Sequence, residues 1–321
     1  MKLDTLTFST KEKRTLFDGK KVSAVTDIDY SPSAFAENVR HISISGAQEK
    51  LFAVVDNSII RLAHDNEQST YIIKPTPANE VLMNRSEMAV NELLTMQIAA
   101  KVYGIDVAPC GLILLNDKRP AYIVRRFDVA TTAEGITKLQ QEDVCTLLGK
   151  TATTHGGDFK YKGSYLEIAS VLKATIPAWR FELPRFFSLV LFNYLFSNGD
   201  AHLKNFSVLR RLDGTLHLSP AYDLLNTSLH IEDADFALSE GLGIKERSDA
   251  YDHFGHPSAN DFRTFGLACG LTSRQIENCL KPFITYQPLV EELCKSSLLS
   301  KKCQRMYLRS YKNRLEYLNK K

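Results

Sequence analysis

The sequence predicts an α+β protein of two lobes, the first rich in β-strand and the second mostly helical. Three observations carry this. Short apolar runs bounded by turn residues fill positions 40 to 127, a polar stretch follows Asp128, and beyond it apolar residues recur at helical spacing almost to the end. We set the division at 1–128 and 129–321.

Residues 1–39 mix polar and apolar positions without a clear period, and are expected to lie on the surface of the first lobe, outside its core. Strand signals begin at HISIS (41–45) and continue through LFAVVD (51–56), SIIRLA (58–63) and TYIIKP (70–75), with turns at Asp56-Asn57 and HDNEQS. RSEMAVNELLTMQIAAKVY (85–103) reads as one amphipathic helix with Met88, Met96 and Ala99 on one stripe, ended by Gly104. GLILL and AYIVRRF are strands flanking the turn Asn116-Asp117-Lys118. VATTAEGITKLQQEDV is read as a polar connector, with helical segments around 139–149, 164–174 and 183–197. Asp213-Gly214 between FSVLRR and TLHLS signals a hairpin. Helical pattern resumes near Ser258, and no internal repeat is visible.

Composition narrows the function classes. With 40 Lys+Arg against 37 Asp+Glu the formal charge is +3, too balanced to name a partner. At 44% hydrophobic and 24% charged residues, disorder and collagen are excluded as whole-chain readings. The first residues lack an apolar signal core, and the most apolar stretch, Phe186 to Phe196, is too short to span a bilayer. A cytoplasmic protein without membrane contact is expected, its export to another cell left open. The six cysteines form no CxxC pair and no zinc spacing, so they read as reduced core thiols. Lys301 to Lys321 holds eight basic residues against Glu316, interleaved with Tyr307, Leu308, Leu315 and Leu318. This reads as an amphipathic helix with a solvated face, contact with nucleic acid or an acidic partner being the alternative.

The chemistry concentrates in two places. Asn198-Gly199-Asp200-Ala201-His202-Leu203-Lys204-Asn205 is a polar loop between an apolar helix and the Asp-Gly hairpin. Asp200 can take a proton, and Asn205, five positions on, can offer an oxygen to a hard cation. After the hairpin, Pro220-Ala221-Tyr222-Asp223 returns the chain with a second carboxylate. One base, one amide oxygen and one carboxylate are a working set for Mg-dependent phosphoryl transfer, and the spacing from Asp200 to Asn205 is that of a protein-kinase catalytic loop. In the first lobe, Ser43-Ile44-Ser45-Gly46-Ala47-Gln48-Glu49-Lys50 joins two strands with small residues that let backbone N–H groups approach phosphates. Lys74 ends the strand YIIK, ahead of a helix in which Glu87 and Glu92 both compete to hold it, and periodicity does not separate them.

In this order these motifs resemble the HipA-like serine/threonine kinases, toxin components of bacterial toxin–antitoxin systems. The match runs from about 40 to 285: SISGAQEK resembles the phosphate loop, YIIKP the ATP-lysine strand, NELLTMQIAAKVYGI the acidic helix, VRRFD the lobe junction, NGDAHLKNFS the catalytic loop and PAYDLLNT the metal-binding segment. The resemblance implies a two-lobed protein-kinase-like fold that uses ATP and Mg²⁺. It makes Asp200 the catalytic base and Asn205 and Asp223 the metal ligands. Ser45, Gly46, Ala47, Gln48, Lys50, Lys74, Glu92, His202 and Lys204 become the ATP-binding residues, the Asn91-Glu92 pair selecting Glu92 over Glu87. His202 reads equally well as a brace for the loop, and the chain near Phe127 and Asp128 is expected beside the adenine. Ser43 or Ser45 is the expected site of autophosphorylation. Unlike the long members, this chain has its phosphate loop near the start, as in the short, HipT-like toxins of three-gene systems. The implied partners are therefore a HipB-like DNA-binding antitoxin and a separate small HipS-like subunit, with nucleic acid met only indirectly. The implied substrate is an aminoacyl-tRNA synthetase, tryptophanyl or glutamyl. A lipid or small-molecule kinase and a phosphorylated corepressor-type binding module are the rival readings.

Overall fold

A computed structural model of the chain describes residues 6–30, 49–77, 80–133 and 135–320. Its first lobe is built on an antiparallel sheet of β1 (Leu51–Asp56), β2 (Ile59–Leu62), β3 (Tyr71–Lys74), β4 (Cys110–Leu114) and β5 (Pro120–Arg125), in the order β2-β1-β3-β5-β4. Lys74 closes β3 opposite Tyr122 in the neighbouring strand, so its ammonium starts from the middle of the sheet. Ser43 to Gln48, and with them five of the expected site positions, lie outside the described residues.

The segment before the sheet departs from expectation. Leu6, Phe8, Leu16, Phe17, Ile28 and Tyr30 are buried and belong to the core. A short helix, α1 (Thr10–Leu16), is closed by a Ser9–Glu12 capping box and packs on β4. Gly111 of β4 favours this packing: a Cβ there would stand 3.1 Å from Leu16 and 3.2 Å from Phe8, tighter than ordinary contact. Val25 then pairs with Leu114 as a parallel bridge.

The acidic helix, α2 (Met88–Val102), follows a 3₁₀ turn at Arg85–Glu87 instead of starting at 85. It packs on β4 and β5 and is buried almost all round, from Met88 through Glu92 and Met96 to Ala99.

The stretch after Asp128 is also not the plain connector expected. It forms a hairpin of β6 (Val129–Thr132) and β7 (Gly135–Lys138), then β8 (Gln141–Asp143) and a single helical turn at Val144–Leu147. Every residue of β7 is exposed, so no apolar alternation could announce it. β8 joins β9 (Ser207–Arg210) and β10 (Leu216–Leu218) in a second sheet, and Gly214 turns the last hairpin at φ 83°.

The helical lobe is built mainly on α3 (Tyr165–Thr175), α4 (Trp179–Leu195), α5 (Ala259–Cys269), α6 (Ser273–Leu280), α7 (Pro288–Ser296) and α8 (Lys301–Leu318), with shorter helices at Ala152–His155 and Asp249–Phe254. Its centre is α4, whose Leu183, Phe186, Phe187, Val190 and Leu191 are buried. Each such side chain contributes roughly 1.5–3 kcal/mol of burial free energy. The last two helices reach back to the first lobe: α7 packs on α2, and the Tyr307 and Thr95 hydroxyls meet at 2.9 Å. The core is accordingly one cluster that crosses Asp128. All six cysteines are free. Among the described residues no helix is long and apolar enough to cross a membrane.

Candidate active site

The loop after α4 is shaped by close packing. The Gly199 N–H donates to Thr227 Oγ1 at 2.9 Å, and a Cβ on Gly199 would lie 2.4 Å from Asp233 Cβ, so only glycine allows this approach. Asn198 Nδ2 donates to Asn193 Oδ1 at 2.9 Å and to the Asp223 carbonyl at 3.3 Å, which ties the loop to the segment of the second carboxylate. Within the loop, the His202 N–H is shared between the Asp200 carbonyl at 2.8 Å and Asn205 Oδ1 at 3.0 Å. His202 itself is buried, and among the described residues its Nδ1 has no partner. Burial, only partly opposed by Asp200, pushes its imidazole down to about 4, so it is neutral at pH 7.

Asp223 adopts a left-handed backbone, φ 56°, which turns its carboxylate back toward the sheet. There the Lys74 ammonium stands between two acids, 2.5 Å from Asp223 Oδ1 and 2.5 Å from Glu92 Oε1. Glu87 is elsewhere, accepting the Ser300 N–H at 2.9 Å. Asp223 Oδ2 faces Lys50 Nζ at 3.4 Å and Asn205 Nδ2 at 3.4 Å. Burial alone would lower Lys74, yet Asp223 and Glu92 outweigh it and hold the ammonium above the usual lysine range. Burial would likewise raise Asp223, but Lys50 and Lys74 hold it below the usual carboxylate range. Burial, with the nearby Asp223 charge, raises Glu92 to about 7 against the pull of Lys74.

Between the sheet and these loops lies a cleft of about 220 Å³. Phe52, Ile72 and Val124 form one wall, Lys50, Lys74, His202, Lys204, Asn205 and Asp223 the polar end, and the Phe127 and Tyr222 rings lie tilted to each other at 5.3 Å. Arg126 and Asp128, paired at 2.5 Å, line it at the lobe junction. An apolar slot ending in cations and hard oxygens suits a flat ring carrying phosphates. Among the described residues no group of three or more His, Cys, Asp or Glu is arranged to hold a metal. Asn205 and Asp223 are adjacent and each carries a hard oxygen, so they could supply the one or two protein ligands that Mg²⁺ takes once the Asn205 amide, which here turns Nδ2 to Asp223 and Oδ1 to the His202 N–H, rotates.

The structure thus brings Lys50, Lys74, Glu92, His202, Lys204, Asn205 and Asp223 together, with Asp200 in the same loop as His202. Ser43, Ser45, Gly46, Ala47 and Gln48 lie outside the described residues. Sequence reasoning missed Tyr161, whose hydroxyl donates to Asp200 Oδ1 at 2.8 Å. No motif marks it, since it sits in an isolated 3₁₀ turn.

Comparison with known proteins bears on the fold and the family. The chain is 28% identical over 290 residues to a Haemophilus influenzae protein named "Putative kinase", covering 87% of this chain and 82% of that one. It is 22% identical over 300 residues to the serine/threonine-protein kinase toxin HipA of Shewanella oneidensis, covering 84% of this chain and 64% of the toxin. In structure it resembles Shewanella oneidensis HipA, solved with HipB and operator DNA, at TM-score 0.62 and 21% identity over 96% of this chain and 69% of that one. The Helicobacter pylori proinflammatory kinase CtkA superposes at TM-score 0.54 and 14% identity, over 88% and 92%. The fold is therefore that of these two-lobed kinases. Residues 42–287 match the model of the HipA-like C-terminal domain, and the chain belongs to that family.

Proposed function

We propose that the chain is an ATP- and Mg²⁺-dependent serine/threonine protein kinase, the toxin of a toxin–antitoxin system. The observation that carries this is Lys74 held between Glu92 and Asp223 at the end of a cleft that Asn205 also lines. Lys74 and Lys50 bind the nucleotide phosphates, and His202 and Lys204 border them. Asp200 takes the proton of the acceptor hydroxyl, whose oxygen forms a bond to the γ-phosphorus as the bond to the β–γ bridging oxygen breaks and ADP leaves with that electron pair. Mg²⁺ held by Asn205 and Asp223 would neutralise charge on the phosphates.

The acceptor we favour is a hydroxyl of an aminoacyl-tRNA synthetase, tryptophanyl or glutamyl, whose modification halts charging and growth. Ser43 or Ser45 is a second acceptor, in the chain itself. A phosphate there adds up to about two negative charges where ATP phosphates bind, and so weakens nucleotide binding. A HipB-like antitoxin and a small HipS-like subunit are the partners we propose, the first supported by the complex in which the Shewanella protein was solved.

The test is to incubate the protein with labelled ATP, Mg²⁺ and a bacterial lysate beside Asp223→Asn, and to identify labelled species by mass spectrometry. A labelled synthetase, absent with the variant, supports the proposal. Label on a lipid or metabolite, with none on protein, contradicts it.

A further inference from the structure

Phe159–Tyr161 form a 3₁₀ turn that packs against the loop carrying Asp200, although 39 positions separate Tyr161 from that carboxylate. The turn meets the loop at three points. The Tyr161 hydroxyl donates to Asp200 Oδ1 at 2.8 Å. The Tyr161 ring meets the His202 imidazole edge-on at 5.2 Å, and Lys204 Nζ lies 5.9 Å over the Phe159 ring. The turn is itself held, since the Tyr161 carbonyl accepts the Ser239 N–H at 2.9 Å and its N–H donates to the Asp158 carbonyl at 2.9 Å. Lys160 Nζ lies over the Tyr161 ring at 4.8 Å, on a side chain that is itself buried.

The arrangement divides the two oxygens of Asp200. Oδ1 is capped by the phenol, while Oδ2 accepts no hydrogen bond among the described residues. Burial, with Asp200 beside it, raises the Tyr161 phenol, which keeps it a donor at neutral pH.

We infer that Tyr161 is a positioning residue for phosphoryl transfer: its hydroxyl fixes the Asp200 carboxylate so that Oδ2 is presented to the acceptor hydroxyl. The inference rests on the kinase reading. In that reaction Oδ2 receives the proton of the acceptor hydroxyl as its oxygen bonds to the γ-phosphorus of ATP, and ADP departs with the electrons of the broken P–O bond. Tyr161 neither gains nor loses a proton.

Tyr161→Phe tests this, because it keeps the ring and its contact with His202 and removes only the donor. Release and self-transfer of the γ-phosphate from Mg-ATP would be followed from pH 6 to 9, with nucleotide affinity from a fluorescent ATP analogue and melting temperature on the same samples. The expected result is a kcat about tenfold lower, as for loss of a hydrogen bond to a charged group. KM for ATP and nucleotide affinity stay within about twofold of native, so the loss falls on kcat alone. An unchanged kcat overturns the inference. So does a fall in kcat matched by weaker nucleotide binding and a lower melting temperature, which assigns Tyr161 to structure alone. A native protein that releases and transfers no phosphate removes the kinase reading and this inference with it, so the two failures are told apart by the native sample.

Discussion

Asn91 holds both backbone groups of Asn226: its Nδ2 donates to the Asn226 carbonyl at 2.8 Å and its Oδ1 accepts the Asn226 N–H at 3.2 Å. The remaining capacity of the amide is used by His230 Nε2 at 2.9 Å and the Thr95 hydroxyl at 3.3 Å. Asn91 precedes Glu92 on α2, and Asn226 follows Asp223 by three positions. One neutral amide therefore sets the register between the two carboxylates that share Lys74.

Asn91→Leu, close in size, leaves the Asn226 N–H buried without its partner and the Asn226 carbonyl with only the Leu229 N–H at 3.3 Å. Each buried polar group so stranded costs about 1–3 kcal/mol. The expected outcome is a melting temperature several degrees lower, with weaker nucleotide binding because Glu92 and Asp223 lose their common anchor. A variant that melts and binds as native does would show that the register is set elsewhere.

Lys74→Met removes the only cation hydrogen-bonded to Glu92 among the described residues. Breaking a buried pair from one side typically costs about 3–5 kcal/mol, more than the pair itself is worth. Pairing it with Glu92→Gln should recover part of that loss in a denaturant melt, while nucleotide binding stays lost. Equal stability of the single and double variants would mean that Glu92 is not left as an unpaired charge.

His230 gives a pH dependence of definite sign. Its Nδ1 faces the Met83 carbonyl at 2.9 Å and its Nε2 faces the Asn91 amide, so the ring must be neutral, and burial lowers its pKa. A base lowered on folding contributes stability that is present above the ordinary value near 6.5 and is lost as pH falls. Glu92 works oppositely, its contribution being present at low pH and lost as pH rises through about 7. The two oppose each other in the native protein, so variants separate them. Between pH 7 and pH 5 native protein should lose more stability than His230→Gln, measured by melts at both pH values, and identical pH dependence would contradict this.

Gly199→Ala should disturb catalysis more than folding. The added methyl meets Asp233 at its Cβ, which cannot swing away as a side-chain tip could, so the loop carrying Asp200 must shift. We expect phosphoryl transfer to fall at least tenfold, since a displacement near 1 Å at the reacting groups is costly. Asp233→Gly in the same chain should restore much of it. Failure of that second change to help would place the effect outside this contact.

The legibility of the fold followed burial. β1, β3, β4 and β5 were readable because continuous or alternating apolar residues face a core, whereas β7 faces solvent on every residue and left no trace. The segment from Leu6 to Tyr30 was misjudged because its seat includes the bare Cα of Gly111, a feature of a distant strand. Glu87 and Glu92 could not be separated by period because Glu87 lies in the 3₁₀ turn before α2, off the helical period, while Glu92 lies on a helix covered on nearly all sides. Lys74, Asn205 and Asp223 were legible because their chemistry fixes residue type and order along the chain. Tyr161 was not, since a single hydrogen bond across 39 positions leaves no spacing to read.

On the proposed mechanism, Asp200 removes the acceptor proton in a site that binds ATP without it. The most direct test is to measure γ-phosphate transfer from Mg-ATP, and nucleotide affinity, on the same preparations of native protein and Asp200→Asn. The expected result is unchanged affinity with transfer lower by a factor of about 10² to 10⁴. Transfer at the native rate by Asp200→Asn would contradict it.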